Sequence, residues 1–143
     1  MKNSQKRSGF TLIEIMVVII ILGMLAAFVI PNITGKSEEA KQKLVCIQMK
    51  SLSEGLKMFK IDNGSYPTTE EGLAALIANP SEESYPAYSK NSYIEGKKLP
   101  KDPWNHPYIY LNDGTAFDIV SLGADGKEGG SDEGKDQKLS ECQ

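Results

Sequence analysis

The chain opens on a polar leader and then an unbroken apolar run. Residues 1–9 read MKNSQKRSG, and residues 10–30 read FTLIEIMVVIIILGMLAAFVI with a single charge, Glu14. At about 1.5 Å per residue such a run makes a helix of roughly 30 Å, the thickness of a bilayer's hydrocarbon core. Lys2, Lys6 and Arg7 precede it, a bias that keeps an N-terminus in the cytoplasm. The run exceeds the apolar region of a secretory signal peptide, and its Ala26-Ala27 pair is followed by more apolar residues. A plain membrane anchor with an incidental acid is the simpler alternative. A carboxylate inside a membrane helix is nevertheless costly and marks function.

Past Pro31 a helical pattern resumes. Ala40, Leu44, Ile47, Leu52, Leu56 and Phe59 recur at spacings of three to five, with Val45, Met49 and Met58 alongside and charges between them. This predicts an amphipathic helix from about residue 36 to residue 61, stopped by Asp62-Asn63-Gly64. Thr68 or Thr69 is a candidate N-cap for a second, short helix over residues 70–79. Residues 80–103 read as an ordered loop. Residues 107–111 and 116–122 are the best strand candidates, joined through the hairpin signal Asn112-Asp113-Gly114. Residues 123–138 are rich in Gly and Asp with no apolar pattern, and no internal repeat is visible.

Charge changes the picture modestly. The formal net charge is −3, and removing the three leader cations leaves side chains summing to −6. An acidic soluble part argues against nucleic-acid binding. The small cluster Lys97, Lys98 and Lys101 reads as a solvated loop. About 110 residues beyond the apolar run suffice for one small domain. Catalysis finds little support. His106 is the sole histidine, no cysteine is flanked by a base, and neither a phosphate loop nor zinc spacing is present. Trp104, Tyr108 and Tyr110 read as packing residues.

Gly9-Phe10-Thr11-Leu12-Ile13-Glu14 resembles the processing site of type IV pilins and their relatives. The resemblance implies that a prepilin peptidase cuts after Gly9, that Phe10 becomes an N-methylated N-terminus, and that Glu14 neutralises the N-terminal amine of a neighbouring subunit. Two buried charges are tolerable when paired, so that pairing favours assembly. Pro31 matches a position where pilin helices bend or melt. Further motifs follow in order. They are Tyr66-Pro67-Thr68-Thr69-Glu70-Glu71-Gly72-Leu73, Leu99-Pro100-Lys101-Asp102-Pro103-Trp104, Tyr108-Ile109-Tyr110, and residues 117–126, FDIVSLGADG. Together they resemble the major pseudopilins of type II secretion systems over about residues 7–132.

The expected fold is α+β and type IV pilin-like: a long N-terminal helix packed on a small antiparallel sheet with a calcium-binding loop. Residues 1–9 are a cleaved leader, 10–31 a transmembrane and filament-core helix, 32–62 the amphipathic half of the stalk, and 63–143 a globular periplasmic domain. The implied function is a non-enzymatic structural subunit of a periplasmic pseudopilus that drives export of folded proteins through the outer membrane. Implied partners are further copies in a helical filament, prepilin peptidase, an inner-membrane assembly platform, minor pseudopilins, and lipid before assembly. The implied location is the bacterial inner membrane, crossed once. Two alternatives stay open: a type IV pilin of a surface filament for adhesion, motility or DNA uptake, and an anchored calcium-binding module that never polymerises.

Residues 122–132, LGADGKEGGSD, carry the second chemical feature. Calcium takes six to eight hard oxygens, mixing carboxylates with carbonyls, and glycines let a loop converge its carbonyls. The spacing does not fit an EF-hand. The resemblance implies Ca²⁺ held by the side chains of Asp125 and Asp132 and the carbonyls of Leu122, Lys127 and Gly130, within a loop of about residues 122–136. The sequence departs from the family near its end, which leaves Asp132 and Asp136 as competing second carboxylates. Cys46 and Cys142 are also unusual for this branch. In an oxidising compartment they have three possible states: an intrachain disulfide, two free thiols, or a bond between subunits.

Overall fold

The computed structural model describes residues 9–142, without the side chains of residues 28–36. The expectations for Lys2, Lys6 and Arg7 therefore lie outside the described residues. The chain divides into two compact units, Met1–Glu38 and Glu39–Gln143.

One helix, α1, spans Leu12–Asn63. Its first turn closes reciprocally. Thr11 N–H donates to Glu14 Oε2 and Glu14 N–H to Thr11 Oγ1, both at 3.3 Å. This capping box satisfies two amides that a helix start leaves open. Pro31 falls within the bounds of α1, so the helix is not melted there as the resemblance allowed; its side chain is not described. Among the described residues no helix is long and apolar enough to cross a membrane. The apolar run continues into residues 28–30, whose side chains are not described.

In the second unit α1 buries Val45, Met49, Leu52, Leu56 and Phe59. Their spacing of four, three, four, three keeps one stripe facing the core. Leu44, Ile47 and Met58 are exposed, and so is Ala40. The expected stripe ran through Ala40, Leu44 and Ile47, with Val45, Met49 and Met58 alongside; packing instead buries Val45 and Met49. The exposed residues sit one position off the buried stripe or on the opposite side of the turn. Gly64 ends α1 at φ +85, its N–H donating to the Lys60 carbonyl at 2.8 Å, the left-handed stop that glycine permits.

The second helix expected over residues 70–79 is a shorter 3₁₀ segment, Gly72–Leu76. A second reciprocal box closes the turn just before it: Thr68 N–H reaches Glu71 Oε2 at 2.8 Å and Glu71 N–H reaches Thr68 Oγ1 at 3.2 Å. Ile77 N–H then bonds Ala74 O, and Pro80 follows, so the apolar residues have no room for a longer helix. Leu73, Ala75 and Leu76 still reach the core.

The sheet has three strands: β1 (Ile109–Asn112), β2 (Phe117–Ser121) and β3 (Gln137–Lys138), in the order β1-β2-β3 and all antiparallel. β1 and β2 pair from Ile109↔Val120 to Asn112↔Phe117. β3 adds only Val120↔Lys138 and Ser121↔Gln137. Tyr108, Tyr110 and Ile119 join these α1 residues in the core, with Tyr85. Phe59 lies edge-on to Tyr85, Tyr88 and Tyr93, at centroid separations of 5.0, 6.0 and 5.4 Å, geometry that aromatic quadrupoles favour.

Candidate functional site

Two regions carry the candidate chemistry. The first is the start of α1. Gly9 and Phe10 precede it and are exposed, so the peptide bond between them is accessible. Glu14 sits in the first turn, its carboxylate folded back on Thr11 N–H. The large apolar side chains described over residues 10–25 are 48–83% exposed.

The second region is the β2–β3 connection, residues 122–136. It has no strand or α-helix and holds its shape by backbone and carboxylate bonds. Ala124 N–H donates to Glu133 O at 2.9 Å, which draws the outgoing and returning limbs together. Gly129 and Asp136 exchange two bonds: Gly129 N–H to Asp136 Oδ2 at 2.9 Å, and Asp136 N–H to Gly129 O at 3.2 Å. Asp125 Oδ1 accepts Lys127 N–H at 3.0 Å. The limbs are so close that a Cβ on Gly130 would meet Gly134 O at 2.2 Å, and one on Gly134 would meet Asp125 Oδ2 at 2.9 Å. At Gly130, where the obstacle is backbone and φ is +80, only glycine fits.

The donor set suits a hard cation. The Asp125 carboxylate faces Gly130 and Gly134, in the stretch where the loop folds its carbonyls together. Asp136 Oδ1 is buried and has no hydrogen-bond partner. An orphaned carboxylate oxygen is costly unless something positive meets it. Asp132 stands at φ +52 in a short 3₁₀ turn, Asp132–Gly134, and is exposed. Asp132 and Asp136 line one open groove beside α1, together with Glu39, Lys43 and Glu141. Among the described residues no group of three or more His, Cys, Asp or Glu side chains is placed to hold a metal. A calcium site here therefore needs carbonyl ligands as well as carboxylates, as Leu122, Lys127 and Gly130 could supply.

Cys46 on α1 and Cys142 are joined by a disulfide, with Cα atoms 5.5 Å apart. Leu139 and Cys142 pack on the core from the tail. The bridge thereby ties the far end of β3 to α1.

Sequence reasoning missed the residues at the root of the loop. Asp102 is 4% exposed. Its Oδ1 accepts Trp104 N–H at 3.1 Å and His106 N–H at 2.7 Å, and its Oδ2 accepts the Ser121 hydroxyl at 2.7 Å. The available signal was Asp102-Pro103 three residues before Asn105, which takes φ +73: an Asp that bonds its own backbone, then an Asn that tolerates the left-handed region.

A helix with an apolar start and a small antiparallel sheet in one chain define a pilin-like protein. The prokaryotic N-terminal methylation motif matches residues 4–30, and the model described as type II secretion system (T2SS), protein G, matches residues 32–139. The type II secretion system core protein G of Vibrio cholerae is 46% identical over 95% of this chain and 93% of its own length. That of Pseudomonas aeruginosa is 49% identical, over 92% and 94%. The crystal structure of the major pseudopilin of the type 2 secretion system of enterohaemorrhagic Escherichia coli superposes with a TM-score of 0.62. It is 36% identical and covers 76% of this chain and 93% of that one. The chain belongs to the type II secretion protein G family and is a pseudopilus subunit.

Proposed function

We propose that the chain is made as a membrane-anchored precursor, clipped after Gly9, methylated on Phe10, and stacked into a periplasmic filament whose growth drives folded proteins through the outer membrane. The observation that supports this most is the bare apolar surface at the start of α1. Side chains such as Leu12, Ile13 and Ile19 are 83, 68 and 59% exposed in the isolated chain. Such a surface needs lipid, then other subunits, to cover it. Residues 10–30 cross the inner membrane in this reading, with the globular unit in the periplasm.

Glu14 has a role on each side of assembly. In the precursor its carboxylate caps its own helix at Thr11. After cleavage the new amine lies one residue away, at Phe10. In the filament the same carboxylate neutralises a neighbour's amine, which sets the stagger between subunits. The chain is a structural part and not an enzyme. Its partners are its own copies, prepilin peptidase, the assembly platform and minor pseudopilins.

The β2–β3 connection binds Ca²⁺ through Asp125, a second carboxylate, and carbonyls of the same loop. The ion supplies fixed positive charge that ties the two limbs together, coupling metal binding to folding. Asp132 is the second carboxylate that the family pattern names. The orphaned Asp136 Oδ1 supports Asp136 as its competitor.

Assembly is tested by replacing Glu14→Ala in cells lacking the native copy, then reading filament cross-linking and secretion. Processing should continue while filaments and secretion are lost. Normal filaments from that variant would sink the role assigned to Glu14. Calcium is tested by calorimetry on the processed chain. Asp125→Ala should abolish binding, and whichever of Asp132→Ala and Asp136→Ala matches it marks the second ligand.

A further inference from the structure

Gly123 starts the loop, and its two peptide groups are both held from outside it. Its N–H lies 3.3 Å from Ser121 Oγ, which itself donates to buried Asp102. Its carbonyl oxygen lies 3.0 Å from His106 Nδ1. A carbonyl can only accept, so this nitrogen is assigned the proton. Asp102 Oδ2 stands 3.8 Å from the same nitrogen. One buried carboxylate thus fixes the turn that presents the imidazole and also the serine that takes the amide.

The consequence follows from peptide planarity. In a trans peptide the N–H and the preceding carbonyl point in opposite directions, and the described chain holds no cis bond. Turning Gly123 N–H toward Ser121 turns the Leu122 carbonyl away from it. Turning the Gly123 carbonyl toward His106 aims Ala124 N–H the other way, where it meets Glu133 O at 2.9 Å. That bond closes the loop's base. The far side of the ring packs on Gly126, where a Cβ would come within 2.9 Å of Nε2. At Gly123 itself a Cβ would come within 2.8 Å of Lys135 O and 2.9 Å of Glu133 O.

We propose that His106 is a positioning residue for the cation of the β2–β3 loop. Through the Gly123 peptide it sets the Ala124–Glu133 closure, while Ser121, on the same Asp102, sets the Leu122 carbonyl. The frame is built before any ion arrives, so less ordering remains for the ion to impose. The proposal rests on the calcium reading above and extends it to residues that touch no ligand side chain.

The test uses the full processed chain in detergent micelles. His106→Phe keeps a ring against Gly126 and loses the N–H donor. His106→Asn offers a shorter amide donor in its place. Gly126→Ala leaves the donor and displaces the ring, and it also strains the loop backbone at φ +64, so its loss counts only beside that of His106→Phe. Two readouts are taken: calcium affinity by calorimetry, and amide hydrogen exchange of residues 122–136 in chelator.

We expect His106→Phe and Gly126→Ala to weaken calcium by at least about tenfold, the scale of losses when outer-shell supports of a metal site are removed. Ala124 should exchange faster in both without metal, and His106→Asn should recover part of each effect. If the wild type binds calcium and both weakening variants bind it equally well, the positioning role is overturned and the calcium reading stands. If His106→Phe proves globally unfolded, His106→Leu, which also lacks the donor, takes its place. If the wild type itself binds no calcium, the calcium reading fails and takes this proposal with it.

Discussion

At the scale of single residues, carboxylates shape the turns of this chain. Asp113 is the clearest case. Its Oδ1 accepts the amides of Thr115 and Ala116 and the Thr115 hydroxyl, all within 2.8 Å. These bonds, that of Ala116 first, hold its carboxyl down to about 2, from an ordinary value of 3.8. A depressed folded value gives stability that is present above the ordinary value and is lost as pH falls through the folded one. In the folded chain the Thr115 and Ala116 amide resonances should therefore shift with a midpoint near pH 2. Asp113→Asn, which keeps an acceptor oxygen but does not titrate, should leave them flat; a pH shift that persists in this variant would place the titrating group elsewhere. Glycines act by the opposite route, through what they lack. Gly130 takes φ +80 and lies where a Cβ would strike Gly134 O. Gly130→Ala should cost about 2–4 kcal/mol in chemical denaturation, from backbone strain plus overpacking. A cost below about 0.5 kcal/mol would mean the limbs do not approach so closely.

At the scale of elements, α1 presents two different faces, and substitutions should separate them. Phe59 is fully buried beneath three tyrosines. Phe59→Ala should cost about 3–5 kcal/mol through lost transfer energy and a cavity. Ile47 is 63% exposed, so Ile47→Ala should stay within about 0.5 kcal/mol in the isolated subunit. Equal costs would mean the buried stripe has been misplaced. The helix itself was legible in the sequence because its apolar positions follow the helical period and Asp62-Asn63-Gly64 closes it. Which of those positions are buried was less legible, since Leu44 and Val45 are both apolar and only packing chooses between them. The β1–β2 hairpin was legible from its turn chemistry. β3 was not: Gln137 and Lys138 carry no apolar signal, and the strand exists because β2 offers an open edge. The short helix was overread because propensity favoured it where the chain allowed only a 3₁₀ turn. Of the candidate loop, the glycines and acids were legible. The root formed by Asp102, His106 and Ser121 was not, because it joins residues that only the fold brings together.

At the scale of the whole molecule, the globular unit has to hold a poorly cored loop and tail against a single helix. The sheet reaches the tail through two paired positions and the bonds from Ser140 to Asp118. The Cys46–Cys142 bridge closes a span of 96 residues. In the chain-entropy account a bridge of that length restricts the unfolded ensemble enough to contribute about 4–5 kcal/mol, a large share of a small domain's 5–15. Cys142→Ser should accordingly lower the unfolding free energy by about 2–5 kcal/mol, and reducing agent should do the same to the wild type but nothing further to the variant. The loss should not be uniform. Amides of residues 137–142 should lose protection first, since the bridge holds them directly, and those of the β1–β2 hairpin last. Saturating calcium should then restore part of the stability, because an ion bound only by the folded state contributes about 2.7 kcal/mol at a hundred times its dissociation constant. Bridge and ion would thus hold the same connection from opposite ends, one at the tail beyond β3 and one in the loop before it. A reduced chain with unchanged stability and unchanged tail exchange would show that core packing of Leu139 and Cys142 suffices by itself. A reduced chain that calcium cannot stabilise at all would show that the loop needs the tail fixed before it can hold the ion.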